Sequence, residues 1–436
     1  MSNAVEYEKC LAEMFSLRRF GIKLGLDTIR GMLAALGNPE SRFHAIHVAG
    51  TNGKGSVASS LATILRLSGF RTGLFTSPHL VRFNERIQVD GREISDPDVV
   101  SDYQTVKAAY PAGREPTFFE LNTAMALAEF ARRRVDWAVV ETGMGGRLDA
   151  TNVIRPAVSI ITNISLEHRM YLGGTVAEIA AEKAGIIKEG VPVVTAVRQP
   201  SARRVVEDTA RRMGSPFYRL GRDFSVRRNR RKGTFSYFGI DTGAKGLRTG
   251  LAGAFQAANA ALAFAACEVL RRAGTGITDE AIYRGLAENR WPGRLEKIAE
   301  HPLVLLDGAH NLAAARALAD YMETELAGRR ITLVCGILDD KPYEKIMAHL
   351  CRTANRVILT RARIDRALPP ETLAPAARRF IVDIETVSAV AKAVARAVAT
   401  SDPEDVVVVA GSLYVVGEAK AYLEGLDANS STGTRV

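Results

Sequence analysis

The short apolar run Ala45-Ile46-His47-Val48 leads into the glycine-rich loop Gly50-Thr51-Asn52-Gly53-Lys54-Gly55-Ser56, and helical periodicity then continues to Leu67. A strand that enters a helix through such a loop belongs to an open, mostly parallel α/β sheet, with ligands expected at the carboxyl ends of the strands. The first backbone N–H groups of a helix point outward and its dipole favours an anion there, while glycines let the backbone come close to it. Lys54 would neutralise β and γ phosphates, and the Ser56 hydroxyl is a candidate magnesium ligand. The spacing is a variant of G-x-x-x-x-G-K-[ST], because Gly55 separates Lys54 from Ser56 and Gly50 lies too near Gly53.

The same alternation of β-rich and helical stretches continues along the chain. Residues 72–75, 137–140, 158–161 and 192–195 are further strand candidates, with helices expected over 56–67, 121–133 and 176–187. A hairpin is expected at 226–239, followed by a buried alanine-rich helix over 255–270 that carries Gln256 and Asn259. Trp291-Pro292-Gly293 breaks the pattern after a helix over 279–287. Strand-like runs at 303–306, 332–335, 357–360 and 406–410 then form a second α/β unit. The expected fold class is α/β: a phosphate-loop-type, mostly parallel sheet domain over 1–293, a smaller Rossmann-like domain over 294–426, and a polar frayed tail over 427–436.

With 436 residues, 47% apolar and 24% charged, the chain has ample material for two cores. The start MSNAVEYEKC is charged and the apolar runs are short, so no signal or membrane span is expected and a cytoplasmic location follows. Cys10, Cys267, Cys335 and Cys351 are scattered without a CxxC pair, which argues against structural zinc and disulfides. The net charge of +10 is concentrated in part at Arg227, Arg228, Arg230, Arg231 and Lys232. No aromatic residue interleaves with these arginines, so a solvated hairpin limb is favoured over a nucleic-acid patch.

Further motifs follow in order: Thr76-Ser77-Pro78-His79-Leu80, Asn84-Glu85-Arg86-Ile87, Thr117-Phe118-Phe119-Glu120, the run from Glu141 to Asn152 (ETGMGGRLDATN), Glu182-Lys183-Ala184-Gly185-Ile186, Trp291-Pro292-Gly293-Arg294, Asp307-Gly308-Ala309-His310-Asn311 and Gly411-Ser412-Leu413-Tyr414. Together with the loop at 50–56 this series resembles the folylpolyglutamate synthase and dihydrofolate synthase family of the Mur ligase superfamily, over about Gly25 to Gly417. One departure is Glu167-His168, where the family commonly has Asp-His.

The resemblance implies an ATP-dependent ligase that joins L-glutamate to dihydropteroate, to the γ-carboxylate of a reduced folate, or to both, through an acyl phosphate. It implies nucleotide contacts from Thr51, Asn52, Gly53, Lys54, Gly55, Ser56, Asn259, Arg294 and Asp307. Ser77, Glu141 and His168 are the implied magnesium ligands, in a two-metal site that manganese would also suit. Lys54, Lys183 and His310 take catalytic roles, with Lys183 carbamylated. The pterin-bearing substrate is implied at Ile22, Lys23, Leu24, Thr117, Phe118, Phe119, Glu120, Leu148, Asp149 and Ala150. Arg294 lies at a hinge position, so domain closure would complete the site, and a monomer is favoured. On local pattern alone, Lys183 reads as an exposed helical lysine, Glu141 as a solvated acid and His168 as a loop histidine. A cell-wall amino-acid ligase is the alternative within the superfamily, though TSPHL, EKAGI and DGAHN point away from it. A nucleic-acid-dependent ATPase is the alternative from another class, favoured only by the charge.

Overall fold

The computed structural model describes residues 3–21, 23, 25–111 and 114–425, so Ile22, Leu24 and the expected tail at 427–436 lie outside the described residues. Two compact units divide the chain. One comprises residues 1–79, 83–250 and 256–290; the other takes 80–82, 251–255 and everything from Trp291 onward.

The first unit is built on an eight-stranded sheet. Its strands are β1 (His44–Ala49), β2 (Thr72–Phe75), β3 (Ile87–Val89), β4 (Arg92–Glu93), β5 (Trp137–Glu141), β6 (Val158–Ile161), β7 (Val193–Thr195) and β8 (Phe217–Arg219). The order is β4-β3-β2-β5-β1-β6-β7-β8. All neighbours from β2 to β8 in the sheet pair in parallel, and at one edge β3 pairs antiparallel with both β2 and β4. The short valine- and isoleucine-rich runs are buried on both faces, which is why they read as continuous apolar segments rather than alternating ones. From β1 the chain crosses to β2 on one side through helix Lys54–Leu67, and from β6 it crosses to β7 on the other through helix Val176–Ala184. Neighbouring connections that leave in opposite directions open a crevice at the carboxyl ends of β1 and β6.

The expected hairpin forms from β9 (Ser225–Asn229) and β10 (Thr234–Phe238), and a third strand, β11 (Gly243–Leu247), adds to it. It is pinned from below: Tyr237 stacks on Phe264 with ring centroids 4.1 Å apart and donates to the Glu268 carboxylate at 2.6 Å. Arg230, Arg231 and Lys232 form the exposed turn. The alanine-rich helix, Gln256–Arg272, is a buried element of this unit. Among the described residues, no helix is long and apolar enough to cross a membrane.

The second unit holds β12 (Glu296–Glu300), β13 (Leu303–Leu306), β14 (Ile331–Cys335), β15 (Arg356–Arg361), β16 (Ile384–Ala389) and β17 (Val406–Ala410), in the order β12-β13-β17-β14-β15-β16. Only β12 runs antiparallel. Alternate residues point to opposite faces of the sheet. Leu305, Leu333, Val357 and Leu359 pack under helices Leu312–Glu325, Tyr343–Leu350 and Pro370–Arg378; Val304, Leu306, Val334 and Ile358 pack under Val390–Ala399 and Leu413–Leu423. The unforeseen edge strands β12 and β16 are only partly buried, so their sequences lack the apolar run that marked the others.

Candidate nucleotide and ligation site

The loop after β1 lies in the crevice that the sheet order creates. Gly50 adopts φ +147°, and a Cβ there would come within 1.9 Å of Thr162 Oγ1. Gly53 adopts φ +85° with the Asn259 side-chain oxygen 2.6 Å from where its Cβ would sit. Both positions therefore require glycine, for backbone conformation and for space. The segment after β6 stitches the loop in place. Thr162 Oγ1 donates to the Asn52 carbonyl at 2.7 Å, the Asn163 amide donates to the same oxygen at 2.8 Å, and the Asn52 N–H donates to Asn163 Oδ1 at 3.0 Å. The Thr51 N–H donates to the Asn163 carbonyl at 2.8 Å.

Helix Lys54–Leu67 begins at Gly53 with no side-chain cap and no acidic residue in its first turn. Its opening N–H groups thus keep the capacity to receive an anion. Lys54 Nζ donates to the Thr51 carbonyl at 3.3 Å and lies 3.7 Å from Glu141 Oε1. Glu141 ends β5 with its side chain only 6% exposed, and beside it Thr142 Oγ1 is buried without a hydrogen-bond partner among the described residues. Lys183 projects from helix Val176–Ala184 and donates to the Gly50 carbonyl at 2.8 Å. Burial, reinforced by the nearby Lys54 charge and opposed by Glu167 and Asp149, lowers the Lys183 ammonium to about 7. It is not the exposed helical lysine that its spacing suggests.

Ser56 is buried, and its Oγ accepts from Gln256 Nε2 at 3.4 Å; Gln256 Oε1 in turn accepts from Asn259 at 2.9 Å. This chain fixes the Asn259 amide against Gly53. Thr162, Asn163 and Gln256 were not among the site residues read from sequence. The polar Thr-Asn pair directly after an apolar strand was the signal available for the first two.

His168, exposed and in the left-handed region, has Nε2 3.9 Å from Glu167 Oε1, while Ser77 is half-buried after β2. Among the described residues no three His, Cys, Asp or Glu side chains gather as a metal cage. Two oxygen donors with one imidazole are compatible with magnesium or manganese, which complete their shell with water and phosphate oxygens, and Glu141 is tied to the phosphate loop by its approach to Lys54. The residues present fit such an ion.

The residues expected at the pterin-bearing substrate divide into two kinds. Thr117 and Glu120 form a capping box on helix Phe118–Arg132: the Glu120 N–H donates to Thr117 Oγ1, and the Glu120 carboxylate accepts the Thr117 N–H at 2.7 Å and an Arg114 N–H at 3.1 Å. Asp149 is buried and accepts from the N–H groups of Met144 and Thr151 and from the Thr151 hydroxyl, which also meets His47 Nε2 at 2.8 Å. Ala150 is part of the core. Phe118, Phe119 and Leu148, by contrast, are half-buried, and the Phe119 ring lies flat over Gly143, where a Cβ would come within 2.4 Å. Lys23 is exposed.

In the second unit the Asp307 carboxylate accepts from the N–H groups of Leu295 and Ala309, each at 3.0 Å. Burial raises its pKa, and the Arg294 charge opposes that rise. The Arg294 guanidinium lies over Gly308, 2.7 Å from where a Cβ would be. The Gly308 carbonyl accepts from His310 Nδ1 at 2.8 Å, which fixes the ring proton on that nitrogen.

Residues 48–267 match the Mur ligase middle domain, and residues 293–413 the Mur ligase glutamate ligase domain. A Bacillus subtilis dihydrofolate synthase/folylpolyglutamate synthase is 42% identical over 349 residues, 78% of this chain and 81% of the relative. The structure of Escherichia coli FolC in complex with DHPP and ADP is similar at a TM-score of 0.88 and 29% identity, covering 96% of this chain and 98% of that one. The bifunctional folylpolyglutamate synthase/dihydrofolate synthase of Yersinia pestis with Mn, AMPPNP and L-glutamate bound is similar at 0.85 and 31%, covering 95% and 98%. The chain belongs to the dihydrofolate synthase/folylpolyglutamate synthase family and is a ligase of the Mur type.

Proposed function

We propose that this ligase joins L-glutamate to dihydropteroate and also to the γ-carboxylate of reduced folates, in both cases through an acyl phosphate. A carboxylate oxygen of the acceptor attacks the γ phosphorus of ATP and ADP leaves. The glutamate amine then attacks the acyl carbon, and phosphate departs with that oxygen. The observation that carries this reading is the uncapped start of helix Lys54–Leu67, with Lys54, Glu141 and Lys183 converging on its glycine loop. The open N–H groups and Lys54 would hold the β and γ phosphates in line for attack. Asn259, set against Gly53, suits a contact to the base. By motif, Arg294 and Asp307 are assigned to the nucleotide, and His310 to the phosphate or glutamate end. A divalent ion held by Ser77, Glu141 and His168 would offset charge on the transferring phosphoryl group.

Lys183 is further proposed to carry a carbamate. Its amine adds to carbon dioxide with loss of one proton, and the new carboxylate would help to hold a second ion. With its pKa lowered to about 7, about half of the side chain is neutral at pH 7, whereas a solvated lysine is almost wholly charged. An unmodified Lys183 turned to solvent in a structure with magnesium and nucleotide bound would sink this assignment. Phe118, Phe119 and Leu148 are proposed to face the flat heterocycle, while Thr117, Glu120 and Asp149 hold the surrounding backbone.

The functional test is phosphate release with magnesium, ATP and glutamate, adding dihydropteroate to one sample and tetrahydrofolate to another. Glutamate-dependent turnover with both is expected. Turnover with neither would defeat the proposed function.

A further inference from the structure

The second unit contains a cavity of about 810 Å³ that none of the residues assigned above enters. It lies at the carboxyl ends of β15 and β16, whose connecting helices, Pro370–Arg378 and Val390–Ala399, pack on opposite faces of the sheet. Such a divergence opens a crevice in an α/β sheet, and the volume is in the range of small-molecule sites. Its walls are largely apolar, with Ile364, Val390 and the half-exposed Tyr422 ring among them.

The charged groups that line it are Arg361, Arg363, Asp365 and Glu418. Arg361, exposed at the end of β15, makes no ion pair among the described residues. Arg363 is already matched: the Glu418 carboxylate, with its side chain only 7% exposed, accepts the Arg363 N–H at 2.6 Å and lies 3.5 Å from Arg363 Nε. Helix Val390–Ala399 opens into the same space from Ala389, which supplies no capping side chain, and its first turn carries no acidic residue. A helix start without a side-chain cap and a guanidinium without an ion pair among the described residues favour a single negative charge. The two acids lining the pocket, Glu418 and the exposed Asp365, disfavour a dianion.

We propose that this pocket binds a small aromatic monocarboxylate, with the ring against Val390 and Tyr422 and the carboxylate at Arg361 and the first turn of helix Val390–Ala399. The site is independent of the ligation chemistry, so it stands or falls separately from that function.

The test uses the full chain and the intrinsic fluorescence of 2-naphthoate, with 2-naphthyl phosphate and inorganic phosphate in parallel. Saturable 2-naphthoate binding that persists in excess ADP and magnesium is expected. Arg361→Glu should weaken it by about tenfold or more. Ala389→Asp places an acceptor at the helix N-cap, so it folds at least as stably as the parent, yet it should weaken 2-naphthoate binding by about tenfold or more. Three results would each overturn the proposal: no saturation by about 10 mM, far weaker than any useful site; unchanged affinity in both variants; or tighter binding of 2-naphthyl phosphate than of 2-naphthoate.

Discussion

Two helix starts in the first unit are treated in opposite ways. Helix Phe118–Arg132 is closed by a reciprocal capping box from Thr117 and Glu120, and Glu120 is further held by Arg114. Helices Asp96–Ala108 and Val176–Ala184 are closed in the same manner, by Ser95 with Asp98 and by Thr175 with Glu178. Helix Lys54–Leu67 has no cap, begins at a left-handed glycine and presents a lysine instead of an acid. A capped start spends its N–H groups on the fold, whereas an open one gives up roughly 1 kcal/mol of capping and keeps those groups for a ligand. On the proposed function, the contrast separates residues that make the site from residues that hold it.

Substitutions should divide along the same line. The largest effect is expected for Lys54→Ala, which should lower glutamate-dependent turnover by about 10³-fold or more while leaving the melting temperature nearly unchanged. Retained turnover would remove the loop from the mechanism. Lys183→Met should also abolish turnover, yet stabilise the fold. The native side chain has its pKa lowered to about 7 from an ordinary 10.5, so the folded chain binds fewer protons than the unfolded chain between those values. The destabilisation from burying Lys183 is therefore complete below about pH 7 and fades as pH rises toward 10.5. Denaturant titration at pH 7 in buffer free of carbon dioxide, which keeps Lys183 unmodified, should show Lys183→Met gaining roughly 2 kcal/mol, and a repeat near pH 10 should show the gain shrinking.

Gly53→Ala tests the open start itself. The residue is left-handed and abuts Asn259, so the substitution should cost about 2 kcal/mol of stability and weaken ADP binding measured by calorimetry. The smallest effect is expected for Thr117→Ala, a loss of about 1 kcal/mol in chemical denaturation with kcat retained. A large rise in KM for the folate acid, with stability intact, would instead return Thr117 to the substrate.

Much of this architecture is legible in the sequence, for identifiable reasons. The central strands are buried on both faces, so they stand out as apolar runs, and the glycines at 50 and 53 mark positions that no side chain can occupy. The strands at or next to a sheet edge, β3, β4, β12 and β16, are shorter or half-exposed and leave no such trace. Within the site, the sequence exposes residue types but not their partners. Thr117, Glu120 and Asp149 sit in motifs near the site, and the residue types alone do not show that their polar atoms are engaged by neighbouring backbone and side-chain groups. Lys183 shows the converse. Nothing local reveals that a helical lysine is buried against the Gly50 carbonyl, because the burial comes from a loop 133 positions away in sequence.

The central claim is that the open helix start serves acyl-phosphate formation, and oxygen tracing tests it most directly. Dihydropteroate labelled with ¹⁸O in its carboxylate would be turned over with ATP and glutamate, and the released phosphate analysed by mass. One labelled oxygen transferred to each phosphate is the predicted result. Glutamate-dependent turnover that releases only unlabelled phosphate would contradict the account.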